Sequence, residues 1–227
     1  MKKFEKIITH IPHSSIQNFQ EGWIGGFNMF PLVKAYTDWH TQLLFGSDNK
    51  KVIPMIYPNS RFYLDVERLM DDPLEKIGQG RIYTSFNGFE RYVDGDTATK
   101  LKHEYCDWWM ACNELADNDD TLVIDCHAFT NSIAPDVDVC IGFNDDQSHP
   151  GDDVLGFIAR QFEDIGFKKI AFNKPYSNSI TFNKSHKSVM IELNKSIYMD
   201  EDTLDLNISS YRIKLAIEQI YSKLTEG

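Results

Sequence analysis

Several large protein classes are excluded by what this chain lacks. Its 227 residues hold four cysteines, Cys106, Cys112, Cys126 and Cys140, with no Cys-x-x-Cys spacing among them. The usual signature of a structural zinc or dithiol motif is therefore missing, and free thiols in a reducing cytosol are the expected state. Positive charge is scarce: 23 Lys and Arg stand against 34 Asp and Glu, a net charge of −11. There is no basic stripe to neutralise a phosphate backbone, so nucleic acid is not an expected partner. No run approaches the roughly 18 consecutive apolar residues that span a bilayer, so no membrane association is expected. The opening Met1-Lys-Lys-Phe-Glu-Lys6 leads into only a brief apolar stretch with no small-residue cleavage pattern after it. It does not read as a signal peptide, and a soluble, cytoplasmic protein is the expectation. Also missing are the Gly-x-Ser-x-Gly elbow, the Gly-x-Gly-x-x-Gly fingerprint, a phosphate-cradling loop ending in Gly-Lys-Ser/Thr, and His-Glu-x-x-His.

What the chain does have is an alternation of two hydrophobic periods. Apolar, β-branched runs mark strands near 6–12, 51–57, 121–127, 137–143, 169–173 and 188–194. Helical spacing marks 31–46, 97–116, 152–165 and 206–224. No Pro/Gly/Ser-rich stretch divides the chain, which reads as a single domain over 1–227. Strands alternating with helices predict an α/β fold of three layers, a mixed, mainly parallel sheet with helices on both faces. Residues 14–30, 71–96 and 174–187 read as functional loops.

Polar residues at strand ends carry the chemistry. His13 follows the first run, His127 ends the run Thr121-Leu-Val-Ile-Asp-Cys-His127, and Glu192 lies in Ser188-Val-Met-Ile-Glu192. An open α/β sheet delivers such side chains from its carboxyl ends into one crevice. Two imidazoles and a carboxylate are the materials of a zinc site with its base. Strand alternation turns His10 away from His13, and turns Cys126 away from His127, which disfavours a thiol hydrolase. For the third ligand, Asp38 and His40 lie two residues apart on a helix and project about 200° from each other. One of them faces the crevice, and Asp38 is the preferred choice. A carboxylate at Glu192, inside an apolar run, suits a general base acting on water and then on the leaving amine. Arg61 and Arg68 present planar forks that match a substrate carboxylate, with Asp65 as an internal ion-pair partner for one of them. Asn178 and Asn194 offer amides for orienting polar substrate groups.

Pro12-His13-Ser14, Thr37-Asp-Trp-His40, Ser60-Arg-Phe-Tyr-Leu-Asp-Val-Glu-Arg68, Asp125-Cys-His127 and Ile191-Glu-Leu-Asn-Lys-Ser-Ile-Tyr-Met199 occur in this order. Together they resemble the ordered motif set of the N-formylglutamate amidohydrolase family. The resemblance implies a phosphorylase/hydrolase-like fold related to zinc carboxypeptidases. It implies one zinc ion per chain and hydrolysis of the amide bond of a small anionic N-acyl amino acid, in that family N-formyl-L-glutamate to formate and glutamate in histidine breakdown. His13, Asp38 and His127 match the metal-ligand positions, Glu192 the base, and Arg61 an arginine suited to the substrate carboxylate. The match of Asp38 also rests on a looser likeness to zinc amidases of cell-wall peptides. Glu67 departs from the family's Asp-x-Asn-Arg pattern, and the helix before residue 121 lacks a Tyr-His pair. Two other readings of the same fold are an amidase of a peptide or cell-wall fragment and a non-catalytic binding module.

Overall fold

The computed structural model describes residues 1–182 and 185–226. Asn183 and Lys184, within the expected loop 174–187, lie outside the described residues. The chain divides into two compact units, one formed by Met1–Ile11, Trp39–Ile56 and Leu115–Gly227, the other by Pro12–Asp38 and Tyr57–Glu114.

The larger unit is built on a six-stranded sheet. Its strands are β1 (Lys6–Ile11), β2 (Val52–Ile56), β5 (Thr121–Phe129), β6 (Val139–Gly142), β7 (Ile170–Phe172) and β8 (Lys187–Asn194), in the order β2-β1-β5-β8-β6-β7. The β6–β8 pair is antiparallel and every other pair is parallel. This is the mixed, mainly parallel sheet that the alternating periods imply, and all six predicted strands are present. Pro54 falls in β2, at an edge, where a strand tolerates a residue that cannot donate a hydrogen bond. All nine residues of β5 are buried, as a central strand requires.

Alternation sorts the side chains by face. Ile7 and Ile11 of β1, Leu122, Ile124, Cys126 and Ala128 of β5, and Val189, Ile191 and Leu193 of β8 enter one core. Packed there are α2 (Thr41–Phe45), α4 (Asp152–Asp164) and α5 (Ile208–Thr225). The last places Ile213, Ile217, Ile220 and Leu224 along one stripe, and its first turn is capped by the Asn207 carboxamide, which accepts from the Ser209 N–H at 2.8 Å. On β5 and β8 the residues between those core positions include Asp125, His127, Glu192 and Asn194, so the opposite face carries the polar groups.

The smaller unit holds α1 (Phe30–Tyr36), α3 (Gly95–Leu115, its last residue in the larger unit) and a hairpin of β3 (Ser85–Phe86) and β4 (Phe89–Glu90). Among the described residues it holds apolar clusters on two sets of side chains. One gathers Trp23, Met29, Val33, Phe62, Tyr83 and Phe86, the other Tyr57, Tyr63, Leu64, Val66, Leu101 and Tyr105.

Two expectations are corrected here. The helix expected over 31–46 is two helices, because Thr37 is extended (φ −84°, ψ 135°) and His40 is left-handed (φ 65°). Asp38 therefore sits in a break, where its N–H donates to the His13 carbonyl at 2.9 Å. The stretch 71–96 is also more ordered than a loop. It contains a 3-10 turn, Pro73–Ile77, and the β3–β4 hairpin, whose Asn87 and Gly88 have φ values of 47° and 83°. Positive φ at both central residues is the tight hairpin turn for which Asn-Gly is suited.

Candidate active site

In the smaller unit the polar site is organised around Asp65, which is fully buried. One carboxylate oxygen lies 2.8 Å from His13 Nε2 and also takes the Glu67 N–H at 3.3 Å. The other accepts from Arg61 Nη2 and from the Tyr83 hydroxyl, each at 2.9 Å. Arg68 Nε stands 3.7 Å from the same oxygen, while Arg68 Nη1 is 3.6 Å from Asp72. Burial on its own would raise this carboxyl. Arg61 and His13 outweigh that and hold it well below the usual carboxylate range. Burial, helped by the Asp65 charge, pushes the Tyr83 hydroxyl up to about 12, so it stays a donor. The strand of sequence that carries Asp65 is clamped from α3: Trp109 donates to the Val66 carbonyl at 2.9 Å and Tyr105 to the Arg68 carbonyl at 2.8 Å.

An ionised carboxylate can only accept, so in the neutral imidazole the hydrogen sits on Nε2 of His13 and the lone pair on Nδ1. Asp38 Oδ2 is 3.8 Å and Glu67 Oε2 3.6 Å from that Nδ1. Donor atoms about 2.0–2.2 Å from a tetrahedral zinc are about 3.3–3.6 Å apart. The chemistry of these donors fits a divalent ion, with Glu67 at that spacing and Asp38 slightly beyond it. A carboxylate behind the imidazole, here Asp65, is the usual orienting partner of a ligand histidine.

The larger unit repeats the device. Asp125 Oδ1 lies 2.9 Å from His127 Nε2 and 2.8 Å from His10 Nδ1, and its other oxygen accepts the Ile180 N–H at 3.1 Å. Burial opposes ionisation of Asp125, but His127 and His10 bring its pKa far below the ordinary value. In its neutral form His127 would likewise carry its hydrogen on Nε2, toward Asp125, and its lone pair on Nδ1. Parallel register sets His127 beside Glu192, and antiparallel register sets Cys140 on the other side of Glu192. Glu192 is buried. Burial is the main cause that pushes the Cys140 thiol up to about 11, and Glu192 adds to it. Cys126 points into the apolar core, and burial puts its thiol well above the ordinary range.

The remaining expected residues divide. His40 Nε2 is 2.8 Å from the Leu204 carbonyl, so of the Asp38 and His40 pair it is Asp38 that stands beside His13. Asn178 is exposed. The Asn194 amide donates to Asn131, Ala134 and Val137, and its oxygen accepts the Ser196 N–H. Those bonds hold the turn after β8 and the loop at 131–137. Two orienting groups were not assigned by sequence reasoning, Asp125 and the His10 that shares it. The period of two in a strand carries their signal, since it puts Asp125 on the face of His127.

The N-formylglutamate amidohydrolase family model matches residues 6–199. With the fold and these carboxylate-backed histidines, the match makes the chain an amidohydrolase, a hydrolase acting on amide bonds. It belongs to the N-formylglutamate amidohydrolase family. Among solved structures it is similar to an N-formylglutamate amidohydrolase from Ralstonia eutropha JMP134, with a TM-score of 0.76 and 15% identity over 99% of this chain and 94% of that one. It is also similar to the gene product Atu2144 from Agrobacterium tumefaciens, with a TM-score of 0.59 and 12% identity over 99% and 93% of the two chains. At these identities the two likenesses are of fold. No curated protein matches the chain. No helix among the described residues is long and apolar enough to cross a membrane.

Proposed function

We propose that the protein is a zinc-dependent, cytoplasmic amidohydrolase that cleaves the amide bond of an N-acyl amino acid, N-formyl-L-glutamate to formate and glutamate. The family match over residues 6–199 carries the reading. The pairing of the two histidines supports it, each backed through Nε2 by a buried carboxylate, the usual orienting partner of a ligand imidazole. In this reading His13, Asp38 and His127 hold one zinc ion. When bound, such an ion supplies Lewis acidity, polarising a carbonyl and bringing the pKa of water toward about 7.

The protein's own groups do the rest. Glu192 takes the proton of the attacking water as its oxygen bonds to the acyl carbon. It then delivers that proton to the amine nitrogen as the carbon–nitrogen bond breaks. Arg61 gives one N–H to Asp65 and has further donors in its planar fork for a substrate carboxylate, with Arg68 beside it. Four free cysteines suit a reducing compartment.

The test is Glu192→Gln, which keeps the shape and removes the base. Zinc content stays at the wild-type level and turnover falls by about 10²–10⁴-fold. Wild-type turnover in a zinc-loaded Gln variant would remove Glu192 from the mechanism.

A further inference from the structure

The Asp65 carboxylate has about four lone-pair positions, and four donors fill them. His13 Nε2 at 2.8 Å and the Glu67 N–H at 3.3 Å serve one oxygen. Arg61 Nη2 and the Tyr83 hydroxyl, each at 2.9 Å, serve the other. Packing places the hydroxyl. The Tyr83 ring stacks on Phe86, with centroids 5.7 Å apart and planes 6° apart, and meets Phe62 edge-on at 5.9 Å. The Asp65 N–H donates to the Arg81 carbonyl at 2.8 Å, which holds the two segments side by side. Arg68 stands just outside this set. Its Nε is 3.7 Å from the oxygen that takes the hydroxyl, beyond hydrogen-bond range, and its Nη1 is 3.6 Å from Asp72. All of these groups belong to the smaller unit.

We propose that Tyr83 is a positioning residue for substrate binding: by filling the last position on Asp65 it keeps Arg68 off that carboxylate and leaves the Arg68 fork to the carboxylate of the substrate. The inference rests on the substrate reading above and deepens it. A fully buried carboxylate left one donor short draws in the nearest donor, because an unmet buried acceptor is costly. Arg68 Nε needs to move by less than about 1 Å to reach hydrogen-bond range, and as a cation it makes the stronger bond. A phenol in that place satisfies Asp65 without consuming an arginine. Tyr83 is 2% exposed and acts from behind, whereas the Arg68 side chain is 30% exposed.

The experiment measures kcat and KM for N-formyl-L-glutamate in zinc-loaded wild type, Tyr83→Phe, Arg68→Gln and the double variant. Zinc affinity, by competition with a chromophoric chelator, and thermal melts are recorded alongside. Tyr83→Phe keeps the ring and removes the hydroxyl. Its KM is expected to rise about tenfold, with kcat within about twofold of wild type and zinc affinity unchanged. In the Arg68→Gln background the same substitution is expected to shift KM by less than about twofold, since the arginine through which it acts is gone. A merely structural role for Tyr83 gives no such dependence. Tyr83→Met, whose flexible side chain can refill the ring's space, is a second route to a folded variant without the hydroxyl. Tyr57→Phe, which loses a buried hydroxyl bonded to Glu104 at 2.6 Å, is the control expected to match wild type. Unchanged KM in a folded Tyr83 variant, or an equal rise with and without Arg68, would overturn the proposal and leave the proposed function standing. Failure of both Tyr83 variants to fold would make the residue a requirement of folding and overturn it too. No hydrolysis of N-formyl-L-glutamate by zinc-loaded wild type would overturn both readings.

Discussion

At the scale of the residue, a buried imidazole beside a carboxylate has its tautomer chosen for it. Asp65 does this for His13 and Asp125 for His127. Each carboxylate stays ionised because cationic and N–H neighbours offset its burial. His186 shows the opposite outcome. Burial pushes its pKa down to about 4, against a smaller opposing pull from Asp146. Between about pH 4 and 6.5 the unfolded ring binds a proton that the folded ring refuses. Stability is therefore full above about pH 6.5 and declines as the pH falls through that window, by about 2 kcal/mol at about pH 5. Urea unfolding near pH 7.5 and near pH 5 checks this: His186→Gln should lose that much less than wild type on acidification, and equal losses would contradict it. Histidines and acids at strand ends are legible in sequence because their neighbours are apolar, as around His127 and Glu192. Asp65 is harder to assign, since four charges lie within Arg61–Arg68 and only the folded chain shows which oxygen takes which donor.

At the scale of the element, strands and long helices follow from period. The stripe of Ile213, Ile217, Ile220 and Leu224 on α5 is buried, while Leu215 on the same helix is 45% exposed. Ile217→Ala is accordingly expected to cost about 2–5 kcal/mol in denaturant unfolding and Leu215→Ala about 0.5 kcal/mol or less. Equal costs would mean that α5 is not seated by that stripe. Period failed at 31–46, where apolar spacing continues through Thr37–His40 although the backbone does not stay helical. Leu43 and Leu44 belong to a second helix, Trp39 lies in the break before it, and the break places Asp38 beside His13. It also failed at 71–96, where the strands are two residues long, too short for alternation to register, and Asn87-Gly88 was the available signal.

At the scale of the molecule, the sequence reads as one domain, while the contacts resolve two compact units, with the chain passing between them at Ile11, Asp38, Ile56 and Glu114. Composition carries no mark of this, because both units are apolar inside and no linker composition separates them. The order of motifs is nevertheless readable across both units, since the family match runs through both, over residues 6–199. Under the proposed function, hydrolysis by this chain depends on one bound zinc. The most direct measurement is formate release from N-formyl-L-glutamate by metal-stripped protein titrated with zinc. The stripped protein is expected to show no turnover, and activity is expected to rise to a plateau at about one zinc per chain. Undiminished turnover without metal, or none at any zinc occupancy in folded protein, would contradict it.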